Sequence, residues 1–179
     1  LSAEDGITGT SLALSGDGRT LAVNTGGIGD NYEPTEVPYI HIFAQANNGT
    51  WSRQARLPAG VNIYTIFGAS YGFVNYSAMA LSNDGDTLAI NAYNVLESPA
   101  PELIITNKDL TCGNPWGGRN GGGYAAVYAR AASGWSRQAV LAQAHYPDNH
   151  LLALAPDGNA IIIGDGVLFT RSNGAWVCP

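Results

Sequence analysis

Three stretches of this chain repeat one another. A repeat constrains a fold more than any other sequence feature, because each copy must bury its apolar face against the next. The copies open with Ser11-Leu-Ala-Leu-Ser-Gly-Asp-Gly-Arg-Thr-Leu-Ala-Val23, with Ser77-Ala-Met-Ala-Leu-Ser-Asn-Asp-Gly-Asp-Thr-Leu-Ala-Ile90, and with Leu151-Leu-Ala-Leu-Ala-Pro-Asp-Gly-Asn-Ala-Ile-Ile-Ile163. Each is a short apolar strand, an Asp-Gly turn and a second apolar strand. Asp-Gly between apolar runs is a strong hairpin signal, since Gly accepts positive φ and Asp bonds its own backbone.

A second hairpin follows in each copy. Tyr39 to Ala44 turns through Asn47-Asn48-Gly49 into Trp51-Ser-Arg-Gln-Ala-Arg-Leu57. Tyr124 to Ala129 turns through Ser133-Gly134 into Trp135-Ser-Arg-Gln-Ala-Val-Leu141, and Val167 to Arg171 turns through Asn173-Gly174 into Trp176-Val177. The string Trp-Ser-Arg-Gln-Ala recurs at 51 and 135. Four strands per copy make one propeller blade. The expected fold is all-β: blade-type four-stranded antiparallel sheets over 11–57, 77–141 and 151–177, forming a partial β-propeller of three repeats with almost no helix. The expected organisation is one repeat domain, 1–179, with blade 1 at about 1–65, blade 2 at about 66–148 and blade 3 at about 149–179. Length varies between the second and third strands, at 24–38 in copy one and at the insertion 91–123 in copy two. Insertions at one point of every repeat collect on one face of a stack.

The pattern S-x-A-L-S-x-D-G-x-T-L-A-V, then V-Y-x-F, then G-x-W-x-x-Q-A-x-L resembles the FG-GAP repeat (integrin-like) β-propeller family of exported microbial type. Phe67-Gly68-Ala69-Ser70 stands where that family's Phe-Gly motif introduces a blade. The resemblance implies a secreted or cell-surface location and, in that family, calcium loops of alternating Asp and Asn. The nearest approach here is Asp30-Asn31-Tyr32-Glu33, making Asp30, Asn31 and Glu33 the calcium candidates; copies two and three have no counterpart.

Composition narrows the partners. Of 179 residues 45% are hydrophobic and 12% charged, the balance of a chain with a core. The net charge is -6 and Lys108 is the sole lysine, so no basic stripe exists for nucleic acid or an anionic membrane. No apolar run is long enough to span a bilayer as a helix, and no leader begins at Leu1, so an exported protein would be a processed form. Cys112 and Cys178 have no CxxC pairing or His cluster, which argues against zinc. Two cysteines in a turn-rich, lysine-poor chain point to one disulfide, Cys112–Cys178, worth about 4 kcal/mol in chain entropy. Two buried thiols are the alternative.

No catalytic constellation stands out. His41 lies within an apolar strand and reads as a half-exposed strand position. His145 and His150 flank Tyr146-Pro147-Asp148-Asn149, a His/Asp pairing suited to acid–base work but with no nucleophile beside it. Glu33, Glu36, Glu97 and Glu102 read as solvated loop charges, since no calcium-loop spacing is met. The glycine run 117–123 lacks the Lys-Ser/Thr ending of a phosphate loop. Trp51, Trp135 and Trp176 recur at one repeat position, which marks packing. Trp116 stands apart in the insertion and is the candidate ligand contact. Asn48 and Asn75 fit the N-glycosylation pattern, Asn48 in a turn.

Closed propellers generally use about four to eight blades. Three leave two sheet faces to cover, by further blades, by a ring of copies or by a fibre. The sequence therefore points to a non-enzymatic extracellular structural or adhesive module working through self-association or surface binding, with no cofactor. A lectin-like propeller portion, binding carbohydrate or protein through the copy-two insertion, is the competing reading. An enzyme whose active residues lie in other blades is the third. The mass of the native assembly discriminates among them.

Overall fold

The computed structural model describes residues 11–25, 39–58, 62–66, 69–73, 78–93, 123–142, 152–164 and 166–177. They form strands and turns; among them there is no helix, hence none long and apolar enough to cross a membrane. The fold is all-β, with three four-stranded antiparallel sheets of blade type forming a partial propeller. The first sheet holds β1 (Ser11–Leu14), β2 (Thr20–Thr25), β3 (Tyr39–Gln45) and β4 (Trp51–Pro58), in that order. A two-stranded hairpin follows, β5 (Asn62–Ile66) with β6 (Ala69–Phe73). The second sheet holds β7 (Met79–Leu81), β8 (Thr87–Tyr93), β9 (Gly123–Ala131) and β10 (Gly134–Ala142). The third holds β11 (Leu152–Leu154), β12 (Ala160–Ile163), β13 (Val167–Ser172) and the short β14 (Ala175–Val177).

The three sheets match the three repeats. The β5–β6 hairpin was not foreseen: its segment carries no Asp-Gly turn and repeats nothing else in the chain. Phe67 and Gly68, the residues of the Phe-Gly resemblance, lie outside the described residues, between β5 and β6.

The recurring string Trp-Ser-Arg-Gln-Ala encodes a β-bulge. In sheet one Ile42 faces Ala55 and Phe43 faces Arg53, so Gln54 is the extra residue. In sheet two the pairing skips Gln138 between Arg137 and Ala139. Each glutamine folds back on its own strand, Gln54 Nε2 to Ser52 Oγ at 2.9 Å and Gln138 Nε2 to Ser136 Oγ at 2.8 Å. A bulge bends an outer strand and increases its twist. Sheet three lacks the string, and β13 and β14 pair without a bulge.

Strand alternation divides each sheet into two faces. Ala13, Ala22, Ile40, Ile42 and Leu57 of sheet one meet Leu88, Ile90, Ala126, Tyr128 and Val140 of sheet two in one core. The other face of sheet two, through Ala89, Ala125, Val127, Ala139 and Leu141, meets Ile161, Ile163, Phe169 and Trp176 of sheet three in a second core. Sheet two is thus covered on both faces. Burial raises the Tyr128 phenol to about 12, so it stays un-ionised in the core.

Candidate functional site

The Asp-Gly turns lock each sheet to the next. In turn one Ser15 Oγ donates to Asp17 Oδ1 at 2.6 Å and accepts the Thr20 N–H at 2.9 Å, while the Arg19 N–H donates to Asp17 Oδ1. Turn two repeats this with Ser82, Asp84, Asp86 and Thr87. Of these side-chain bonds turn three keeps the one from the Asn159 N–H to Asp157 Oδ1, and loses the two serine bonds because Ala155 stands where the others carry Ser. Backbone bonds join the turns across sheets: Asp17 N–H to Asn83 O at 2.9 Å, and Asn83 N–H to Pro156 O at 2.7 Å.

The turn glycines are the close-fitting parts. Gly18, Gly85 and Gly158 share a φ of +71°, where only glycine is at ease. A Cβ on Gly85 would lie 2.6 Å from Thr20 Cβ and 3.2 Å from Ser15 Cβ, so this glycine is pressed on the turn of sheet one. One on Gly158 would lie 3.0 Å from Thr87 Cβ and 3.5 Å from Ser82 Cβ, pressed on the turn of sheet two. One on Gly18 would meet nothing within 4 Å.

The serine bonds hold the Asp17 and Asp84 carboxyls below the usual carboxylate range, helped by the backbone N–H of Arg19 and of Asp86. A carboxyl depressed on folding stabilises fully above its unfolded value, about 3.9, and loses that share as pH falls through the folded value. Ser82 is buried, and Ser82→Ala removes both the carboxylate donor and the acceptor for the Thr87 N–H. It should cost about 1–3 kcal/mol at neutral pH. The gap from wild type should narrow as pH falls below the ordinary carboxylate value and through the depressed value of Asp84; denaturant melts at neutral and at acid pH check this.

Two sheet faces have no sheet of this chain packed on them among the described residues. The outer face of sheet three presents Ala153, Ala160, Ile162, Leu168, Thr170 and Val177, with no charge. Ile162, Leu168 and Val177 are 43%, 48% and 48% exposed, although Ile161 and Ile163 beside Ile162 are fully buried on the opposite face. The outer face of sheet one carries Leu12, Leu14, Leu21, Val23, His41 and Phe43; Leu12 is 70% and Leu14 54% exposed, Leu21, Val23 and His41 are half-buried, and Phe43 is buried.

These are faces that the repeat buries elsewhere. By register Leu12, Leu14, Leu21, Val23 and Phe43 correspond to Met79, Leu81, Leu88, Ile90 and Tyr128, which pack on sheet one, and to Leu152, Leu154, Ile161, Ile163 and Phe169, which pack on sheet two. The outer half of the sheet-one face is more polar, with His41 and Arg56 in the places of Ala126 and Val140. The Arg56 guanidinium lies 3.4 Å over the Tyr39 ring, a cation–π contact, and His41 stacks near Phe43 with ring centroids 6.5 Å apart. Burial, then the charges of Arg53 and Arg56, lower the His41 pKa and keep the ring neutral.

Of the residues singled out in the sequence, Trp135 and Trp176 pack on the two cores as the repeat predicts, and Trp51 is half-buried. Asn48 is exposed in the β3–β4 turn, its Oδ1 accepting the Thr50 N–H at 3.0 Å. Asp30, Asn31, Glu33, Glu36, Asn75, Glu97, Glu102, Cys112, Trp116, His145, His150, Cys178 and the glycine run up to residue 122 lie outside the described residues, while Gly123 opens β9. Among the described residues no three His, Cys, Asp or Glu side chains converge. The seating of Gly85 and Gly158 on the preceding Ser/Thr pair is not among the readings of the sequence, though the pattern Ser15/Ser82/Ala155 with Thr20/Thr87/Ala160 carries the signal. In comparison with known proteins, no family model matches this chain and no curated protein matches it.

Proposed function

We propose that this chain is a non-enzymatic extracellular module, structural or adhesive, that works by self-association through its two outer sheet faces. One observation carries the reading. Apolar positions that the repeat half-buries against a neighbouring sheet twice within the chain, those of Leu12 and Leu14, stand more than half exposed on sheet one, and sheet three ends in an uncharged apolar face. Exposed contiguous apolar surface on a folded chain marks an interaction site. The two faces differ, so joining them is head-to-tail, giving a ring if the rotation closes and a filament if it does not. The FG-GAP-like pattern, the sparse charge and the single lysine favour a secreted or surface setting.

Light scattering on a dilution series tests the reading. The expected result is a mass above that of one chain at micromolar concentration, falling on dilution. A stable monomer throughout that range overturns it.

A further inference from the structure

We infer that a second copy of this chain stacks its first sheet on the outer face of the third, its Asp17-Gly18 turn seated over Ala155 and Ala160 as Gly85 and Gly158 are seated within the chain. This rests on the self-association reading and adds the partner, the polarity and the register. The chain carries both halves of one interface. Gly85 sits on Ser15 and Thr20, and Gly158 on Ser82 and Thr87. The next seat in that series is Ala155 with Ala160, and the one turn glycine of this set without a seat is Gly18.

The side chains around the seat fit the same partner. The face that would arrive, Leu12, Leu14, Leu21 and Val23, corresponds to the faces that sheets two and three lay on their predecessors. The receiving face differs from its counterparts in two compensating ways. Thr shrinks to Ala160 where sheets one and two hold Thr20 and Thr87, and Ala grows to Ile162 where they hold Ala22 and Ala89. Ala160 lacks two heavy atoms of Thr and Ile162 adds three to Ala, so the volume lost is more than returned one strand step away on the same face. The turn-to-turn backbone bonding can continue too. Pro156 has no N–H, but the Asp157 N–H occupies the place from which Asp17 reaches Asn83.

Gly18→Ala tests the seat, with Gly49→Ala as its control. Both glycines have positive φ and open space around them in the single chain, so both variants carry left-handed strain and neither meets a clash in the monomer. Only Gly18 stands at the proposed seam. Sedimentation velocity on wild type and both variants, with thermal melts to confirm folding, is expected to give a dissociation constant raised about tenfold or more for Gly18→Ala. Gly49→Ala should match wild type. If both variants assemble like wild type, the proposed register is wrong while self-association stands. If wild type itself is monomeric, the self-association reading falls and this inference with it.

Discussion

Ile162→Asp is expected to leave the chain folded and to abolish its assembly. Ile162 points away from the second core, flanked on its own face by Ala153 and Leu168, whereas Ile161 and Ile163 point into that core and are fully buried. In the monomer the new carboxylate therefore meets water, and the circular dichroism and melting of the variant should stay near wild type. At a sheet-on-sheet contact the same carboxylate would be buried without a partner, costing several kcal/mol, which corresponds to about a thousandfold or more in the dissociation constant. The same change at Ile161 should unfold sheet three, which separates a surface effect from a core effect. Head-to-tail polarity gives a sharper check. Leu12→Asp spoils the other face, so each single variant is monomeric but retains the half that the other lacks. Mixed, the two should form a complex of one chain each and grow no further. Two-fold pairing of like faces would not produce that result, and continued assembly of either variant alone would refute the role of its face.

How far the sequence carried this picture is seen in particular residues. The Asp-Gly turns and the Trp-led strands placed three four-stranded sheets, because turn chemistry and alternation are local and survive without knowledge of the neighbours. Alternation also says that Leu12 and Leu14 share a face opposite Ala13. It cannot say what covers that face, since coverage is a relation between sheets. The bulge at Gln54 and Gln138 was hidden for a similar reason: the string that makes it was legible, but a bulge is a register between two strands. The β5–β6 hairpin, with its Gly72 and Tyr-rich strands, lacks both the Asp-Gly turn and a second copy, the two signals that made the others readable. Most sequence candidates for chemistry fall in the segments 26–38, 94–122 and 143–151, outside the described residues. The best-supported site is consequently made of ordinary Leu, Ile and Ala side chains, whose meaning comes from position in the stack.

Gly85→Ala is expected to be the most damaging of three like changes in three like turns. Gly18, Gly85 and Gly158 have the same φ of +71°, so placing a Cβ on any of them costs the same left-handed strain, about 1–2 kcal/mol. Differences among the three variants therefore report packing alone. At Gly18 nothing lies within 4 Å, and strain is the whole cost to the single chain. At Gly158 the new carbon would meet Thr87 Oγ1 at 2.7 Å and Thr87 Cβ at 3.0 Å, so Thr87 must give way, though by less than its counterpart in turn one must at Gly85. At Gly85 it would meet Thr20 Cβ at 2.6 Å and Ser15 Cβ at 3.2 Å, and Thr20 is buried with its backbone N–H tied to Ser15 Oγ. Either the turn of sheet one or the seam between sheets one and two must open, adding about 1–3 kcal/mol of overpacking. Measured in the monomeric Ile162→Asp background, the loss of stability should rise from Gly18→Ala through Gly158→Ala to Gly85→Ala. Equal losses would mean that turn strain is the only quantity in play and that the glycines are not keys in a lock. In the wild-type background Gly18→Ala should break from this order. Its stability cost stays lowest while its effect on assembly is large, because the seat it would clash with belongs to another copy.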